Sequence, residues 1–256
     1  MLLTIDIGNT NVTLGLFRGE ELGPRWRLAT EHERMPDEYG LQILGLLDHA
    51  GLSPQDLTGV CLASVVPPLT GKVTEACRVY LGYDPLVVDA GVKTGVRIRY
   101  EDPRAVGADR VADAAAVQKL YGTPACVVDF GTAMTFDVVN SKGDYLGGVI
   151  APGMDISSMA LSEKTALLPL IKIRKPLRVV GKNTVESIEA GIYYGFMGMV
   201  KEIIERIKRE TGIAPVIIAT GGYAGFMAKE LPLFDRVHTG LVLEGMRLIW
   251  EENMGT

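Results

Sequence analysis

The stretch Asp6-Ile-Gly-Asn-Thr10 returns 123 positions later as Asp129-Phe-Gly-Thr132-Ala. Each copy closes an apolar run, 2–7 or 125–130, and leads into a second one, 12–17 or 134–139. Self-similarity at close to half of a 256-residue chain marks a duplicated unit, which limits the fold more sharply than composition does. The expectation is two similar domains, 1–113 and 114–256, although nothing near residue 113 reads as a flexible linker.

Periodicity and punctuation fill in the rest. Strands are expected at 2–7, 12–17 and 25–30, then a helix at 37–50 whose Leu41, Leu44, Leu47 and Ala50 recur every three residues. A buried strand near 58–65, a proline-started helix near 68–81, short strands near 85–89 and 95–100 and a helix over 104–121 follow. The second half brings strands at 125–130, 134–139 and 145–150, helices at 153–163 and 183–211, a strand at 216–220, and helices at 222–230 and 241–253. The order βββαβα thus occurs approximately twice.

An acid at the end of a buried strand needs a reason. In each copy a glycine permits a tight turn, and hydroxyl or amide side chains with exposed N–H groups project from it, a donor set suited to an anion. Asp6 and Asp129 beside a phosphate are tolerable where a cation lies between acid and phosphate, which points to metal ions. A single copy is equally an ordinary hairpin, with Asn9 and Thr10 serving turn geometry. Two copies, each ending a strongly apolar strand, favour a pair of turns gripping the two ends of a polyphosphate.

Competing phosphate devices are missing. Gly71-Lys72 and Gly181-Lys182 lack the upstream glycine and following hydroxyl of a P-loop, no GxGxxG follows a strand, and His32, His49 and His238 are too dispersed for a local metal site. Ala219-Thr-Gly-Gly222, between a strand and a helix, suits a nucleotide's flat or anionic part but is also an ordinary strand-to-helix turn.

Net charge of −5 and pI near 5.3 give no general basic surface for nucleic acid or anionic lipid. Lys172, Arg174, Lys175 and Arg178 form the densest basic cluster, and interrupting prolines make it read as a solvated loop. Cys61, Cys77 and Cys126 are far apart, two of them in apolar stretches, as expected of free thiols in a reducing cytoplasm. No run approaches the ~18 apolar residues of a membrane span and no basic segment precedes the first apolar run, so neither membrane insertion nor secretion is expected.

Taken together, DIGNTN at 6–11, GADR at 107–110, DFGTAMTFD at 129–137, GGVIAPG at 147–153 and ATGG at 219–222 resemble the type III pantothenate kinases, over essentially the whole chain and in the family's order. These belong to the acetate and sugar kinase/heat-shock ATPase/actin superfamily. The resemblance implies an α/β fold of two ribonuclease H-like domains with an interdomain cleft, a homodimer, and ATP-dependent phosphorylation of pantothenate to 4'-phosphopantothenate, the first step toward coenzyme A. It also implies roles. Asp6, Ile7, Gly8, Asn9, Thr10, Asn11, Val12 and Thr13 match the first phosphate motif, with Asp6 toward Mg²⁺. Asp129 matches the ligand of a monovalent cation, potassium or ammonium, and Gly131 and Thr132 the second phosphate contact. Asp109 matches the catalytic base, and Gly107, Ala108, Asp109 and Arg110 line the pantothenate pocket together with Tyr100 and Thr184. Asp113 departs from the family, where Asn is expected.

The residues themselves leave some of these roles open. Asp109 and Asp113, one turn apart, would also suit a helix N-terminus. Tyr100 ends an alternating segment that fits core or edge, and Thr184 fits a helix cap. The apolar girth and small residues of helix 183–211 suggest a partner helix, with Thr184 near a dimer interface. The other readings are a superfamily kinase for a different small alcohol, or an ATP-driven conformational or regulatory protein; the chain is short for the insertions of the former chaperones and filaments, and no DNA-reading motif is present.

Overall fold

The computed structural model describes residues 1–255, and they fall into two compact units. The first is Met1–Leu120 together with the C-terminal residues from Gly240, and the second is Tyr121–Thr239.

The first unit opens with β1 (Leu2–Ile7), β2 (Asn11–Arg18) and β3 (Glu21–Ala29), followed by α1 (Pro36–His49), β4 (Gly59–Ser64) and α2 (Pro67–Ala76). Proline begins both helices, where its missing N–H costs nothing. The N–H of Met35 donates to Glu38 Oε2 at 2.8 Å, one half of a capping box on α1. The helix expected over 68–81 changes character at Cys77, where a π-helical turn runs to Leu81 and ends at Gly82, φ 78°. Two short strands, β5 (Leu86–Val87) and β6 (Arg97–Ile98), precede α3 (Ala108–Leu120), which starts four residues later than expected because 103–105 forms a separate 3₁₀ turn.

In the sheet of this unit, order β3-β2-β1-β4-β5, β1 pairs antiparallel with β2 and parallel with β4. Leu3, Ile5 and Ile7 of β1 pack with Ile43 and Leu47 of α1 and Leu69 and Val73 of α2. The other face, with Leu2, Phe17, Cys61 and Ala63, packs against Ala112 and Ala115 of α3. Cover on both faces explains why these strands read as unbroken apolar runs.

The second unit repeats this plan. It contains β7 (Ala125–Phe130), β8 (Ala133–Val139), β9 (Asp144–Pro152), α4 (Met154–Lys164), α5 (Thr184–Thr211), β10 (Val216–Gly221), α6 (Ala224–Ala228) and β11 (Arg236–Val237). Strand β7 again has an antiparallel neighbour, β8, and a parallel one, β10, in the order β9-β8-β7-β10-β11. Its core joins Val128, Phe130 and Phe136 to Ile188, Ile192, Phe196 and Val200 of α5.

Residue 113, the junction expected from the sequence, lies in the middle of α3, which runs on to Leu120. The last helix, α7 (Leu241–Met254), is part of the first unit. Its Leu243, Met246 and Ile249 are almost fully buried in the α3 face of the first sheet, each worth about 1.5–3 kcal/mol relative to exposure. A methyl on Gly245 would come within 1.9 Å of the Ala112 carbonyl oxygen, so α3 and α7 meet backbone to backbone through small residues. The basic cluster lies in irregular chain, where Arg174, Lys175 and Arg178 are held by ion pairs to Glu189, Glu230 and Glu186.

Candidate active site

In each unit the strand bearing the acid is central, flanked by one antiparallel and one parallel partner. Asp6 and Asp129 therefore lie at the carboxyl ends of parallel pairs, β1 with β4 and β7 with β10, the position at which open α/β sheets receive ligands. Both carboxylates are half-buried.

The first turn spans Gly8-Asn9-Thr10. The N–H of Gly8 donates to the Asn11 carbonyl at 3.0 Å, closing the hairpin, and Asn9, Thr10 and Asn11 are exposed while Ile7 and Val12 are buried. Asp6 stands opposite Thr13. Thr30 braces the turn twice: its hydroxyl donates to the Gly8 carbonyl at 2.7 Å and its N–H to the Thr10 carbonyl at 3.0 Å. Nothing in the sequence singled Thr30 out, since it follows the strand as an ordinary β-forming residue.

Asp109 belongs to the same unit. It sits in the first turn of α3, with Oδ1 accepting from the N–H of Arg110 at 2.8 Å. A methyl on Gly107 would lie 2.5 Å from that oxygen and 3.1 Å from Val65 Cγ1. Val65 in turn donates its N–H to the Ile7 carbonyl at 3.0 Å, beside the first turn. Packing through Gly107 and Val65 thus brings the helix end bearing Asp109 to the edge on which Gly8–Thr10 stands. Ala108, Arg110 and Asp113 are buried, whereas Tyr100 is exposed in irregular chain after β6.

In the second unit the turn is one residue shorter, Gly131-Thr132, and Asp129 stands between Thr135 of β8 and Thr220 of β10. Two glycines close on it. Gly153 donates its N–H to the Thr132 carbonyl at 3.1 Å, and a methyl there would lie 2.2 Å from that oxygen. Gly221, at φ +88°, would place a methyl 2.1 Å from Asp129 Oδ1. Both glycines belong to motifs legible in the sequence, GGVIAPG and ATGG, but their packing on the turn is a long-range contact that local pattern does not encode. Thr184 starts α5 but is not its cap: Asn183 accepts from the Glu186 N–H at 2.9 Å. Thr184 instead borders an apolar cavity of about 580 Å³ between α4 and α5, with Ser157, Ser187 and Ile188.

Among the described residues no group of three or more His, Cys, Asp or Glu converges as a metal cage. An ion here would share its coordination with phosphate and water, the usual habit of Mg²⁺ at nucleotide sites. Burial pushes all three thiols up to about 12, which leaves them protonated and without a nucleophile's role. The chemistry available is that of carboxylates, hydroxyls and turn N–H groups, which is the equipment of phosphoryl transfer.

Family comparison agrees with that chemistry. The sequence model of the type III pantothenate kinases matches residues 2–206. This chain belongs to the type III pantothenate kinases. The type III pantothenate kinase of Moorella thermoacetica is 51% identical over 253 residues, covering 99% of this chain and 100% of the relative. That of Geobacter sulfurreducens is 48% identical, with 99% of each covered. Solved structures show the shared fold. A Campylobacter jejuni protein assigned to the Baf family of transcriptional activators superposes with a TM-score of 0.64 at 20% identity, covering 99% of this chain and 100% of its own. The activator of 2-hydroxyisocaproyl-CoA dehydratase from Clostridium difficile, with bound ADPNP, superposes with a TM-score of 0.56 at 14% identity over 100% and 97%. The fold is α/β with two ribonuclease H-like domains, as in the actin-like ATPases and sugar kinases.

Proposed function

We propose that this chain, as a type III pantothenate kinase, transfers the γ-phosphoryl group of ATP to the primary hydroxyl of pantothenate, giving 4'-phosphopantothenate and ADP in the first step of coenzyme A biosynthesis. The observation that carries this reading is the full-length match to pantothenate kinases combined with an acid-tipped turn at the carboxyl end of each unit's central parallel pair.

Asp109 acts as general base, accepting the hydroxyl proton as the alcohol oxygen attacks phosphorus. A carboxylate in the first turn of α3, its Oδ1 held by the Arg110 N–H, supports that role. Gly107, Ala108 and Arg110, with Tyr100 and Thr184, bind pantothenate, and the Arg110 guanidinium suits its carboxylate. Gly8–Thr10, with Asn11 and Thr13, make the first phosphate contact, and Gly131 with Thr132 make the second.

Two cations fit this donor set. Asp6, a single half-buried carboxylate beside a turn of N–H donors, suits Mg²⁺ shared with phosphate, and Asp129 suits potassium or ammonium because Gly131 and Gly221 keep side-chain atoms clear of its carboxylate. When bound, they neutralise the phosphate charge that would otherwise repel both acids. The three buried free cysteines, and the absence among the described residues of a helix long and apolar enough to cross a membrane, support a cytoplasmic setting. Half-exposed Val185 and Tyr194 on α5, with Gly191 and Gly195 beside the cavity, support a homodimer through that helix.

The test is ADP release by the purified chain with MgATP and potassium, with pantothenate, with other primary alcohols and without acceptor. Pantothenate-dependent release with a phosphomonoester product is expected. Release without acceptor would favour an ATPase, and turnover with a sugar alone would favour another small-alcohol kinase of the superfamily.

A further inference from the structure

Three corners of the second unit meet at the turn after β7. The turn itself is Phe130–Thr132; the second corner joins β9 to α4 at Gly153, and the third joins β10 to α6 at Gly221–Tyr223. Gly153 binds the Thr132 carbonyl, while the N–H of Tyr223 donates to the Phe130 carbonyl at 3.4 Å. The turn is therefore held from two sides by main chain, through Gly153 on one side and Tyr223 on the other, and glycine stands at 153 and 221 because a Cβ there would collide with Thr132 or with the Asp129 carboxylate. The two outer corners are remote in sequence, and a side-chain pair joins them: the Tyr223 hydroxyl donates to Asp155 Oδ1 at 2.6 Å.

We propose that Tyr223 and Asp155 are positioning residues for the nucleotide: their hydrogen bond locks the α4 and α6 corners together and so fixes the Gly131-Thr132 turn in the geometry that receives a phosphate. This rests on the reading of that turn as the second phosphate contact. A 2.6 Å bond from a neutral hydroxyl to a carboxylate is of the strong, charge-assisted kind. Burial together with the hydrogen bond to Asp155 holds the Tyr223 phenol well above its ordinary range, so the hydroxyl stays a donor at neutral pH. Tyr223 is also gripped as a ring, packed edge to face on Phe226 at 6.2 Å, which limits the directions in which its hydroxyl can point. Neither side chain needs to touch the substrate. Both act through main chain that a displaced corner would carry with it.

The test is a double-mutant cycle read by binding as well as by rate. MgATP affinity is measured by calorimetry, and KM for ATP and for pantothenate by ADP release, in the unmodified chain and in Tyr223→Phe, Asp155→Ala, the pair combined, and Asp155→Asn. Tyr223→Phe and Asp155→Ala are expected to weaken MgATP binding and raise its KM about 3–10-fold each, with pantothenate KM unchanged. The double variant should be no worse than either single one, because the two act as one unit. Asp155→Asn, which keeps an acceptor oxygen, should recover most of the affinity. Unchanged MgATP affinity in the single variants, additive losses, or equal rises in both KM values that track a lowered melting temperature would overturn the latch. An unmodified chain that binds MgATP without phosphorylating pantothenate would overturn the proposed substrate and leave the affinity cycle to decide the latch; one that binds no nucleotide overturns both.

Discussion

The two acid-tipped hairpins share topology and differ in what braces them. After β1 the turn has three residues and is braced by hydrogen bonds from Thr30, which directly follows β3. After β7 it has two residues and is braced by glycine corners that leave no space for a methyl group. Asp6 has Thr13 and Ala63 as its lateral neighbours, whereas Asp129 stands between two threonines, Thr135 and Thr220. The first unit also carries Asp109, the proposed base. A duplicated fold has thus kept the position of the acid and changed its surroundings. In the proposed mechanism the first unit supplies proton transfer and the magnesium side of the phosphates, and the second supplies a more rigid phosphate contact beside the monovalent cation.

The largest expected effect sets the units apart most clearly. Asp109→Asn should lower kcat about 10²–10⁴-fold while MgATP affinity by calorimetry stays within about twofold, as expected of a lost general base. Loss of nucleotide binding in that variant would move Asp109 to phosphate or metal work. Next, Asp6→Asn should cost about 10²–10³-fold in kcat/KM for MgATP, and added potassium should not repair it. Asp129→Ala should instead abolish stimulation by potassium, so a titration of rate against potassium in both variants separates the acids. Identical titrations in the two would erase the distinction.

Stability sharpens the comparison on a smaller scale. Gly153→Ala drives a methyl to 2.2 Å from the Thr132 oxygen and should cost about 1–3 kcal/mol by urea denaturation. Gly8→Ala meets the Asn11 oxygen at 3.2 Å and should cost less than about 1 kcal/mol. A reversed order would show the first turn to be the stiffer one. Of comparable size, Thr30→Val removes the hydroxyl bond to Gly8 and should cost about 0.5–1.5 kcal/mol, with the rise in ATP KM exceeding any change in pantothenate KM.

Much of this architecture is legible in the sequence because buried strands and glycine turns are local signals. The bounds read for β1 and β7 agree with the structure, and the two flanking hairpin strands differ by a residue or so. The destination of α7 is not legible. Its periodicity announces an apolar face, but which unit that face covers depends on the close approach of Gly245 to Ala112, more than a hundred residues away in the chain. The two-residue β11 carries too little pattern to be read. At the site, the acids and turn residues stand out by chemistry, while their supports do not: Thr30, Gly153 and Gly221 act through long-range contacts that no local spacing encodes. The assignment of Tyr100, Arg110 and Thr184 to pantothenate likewise draws on family resemblance, since strand alternation, a buried helix residue and a helix start would account for them equally well.

The most direct measurement is a crystal structure of the chain with Mg²⁺, a non-hydrolysable ATP analogue and pantothenate. Nucleotide phosphates on the Gly8–Thr10 turn, with the pantothenate hydroxyl within hydrogen-bond reach of Asp109, are the predicted result. A bound nucleotide that leaves Gly8–Thr10 bare of phosphate, or a pantothenate hydroxyl remote from Asp109, would contradict it.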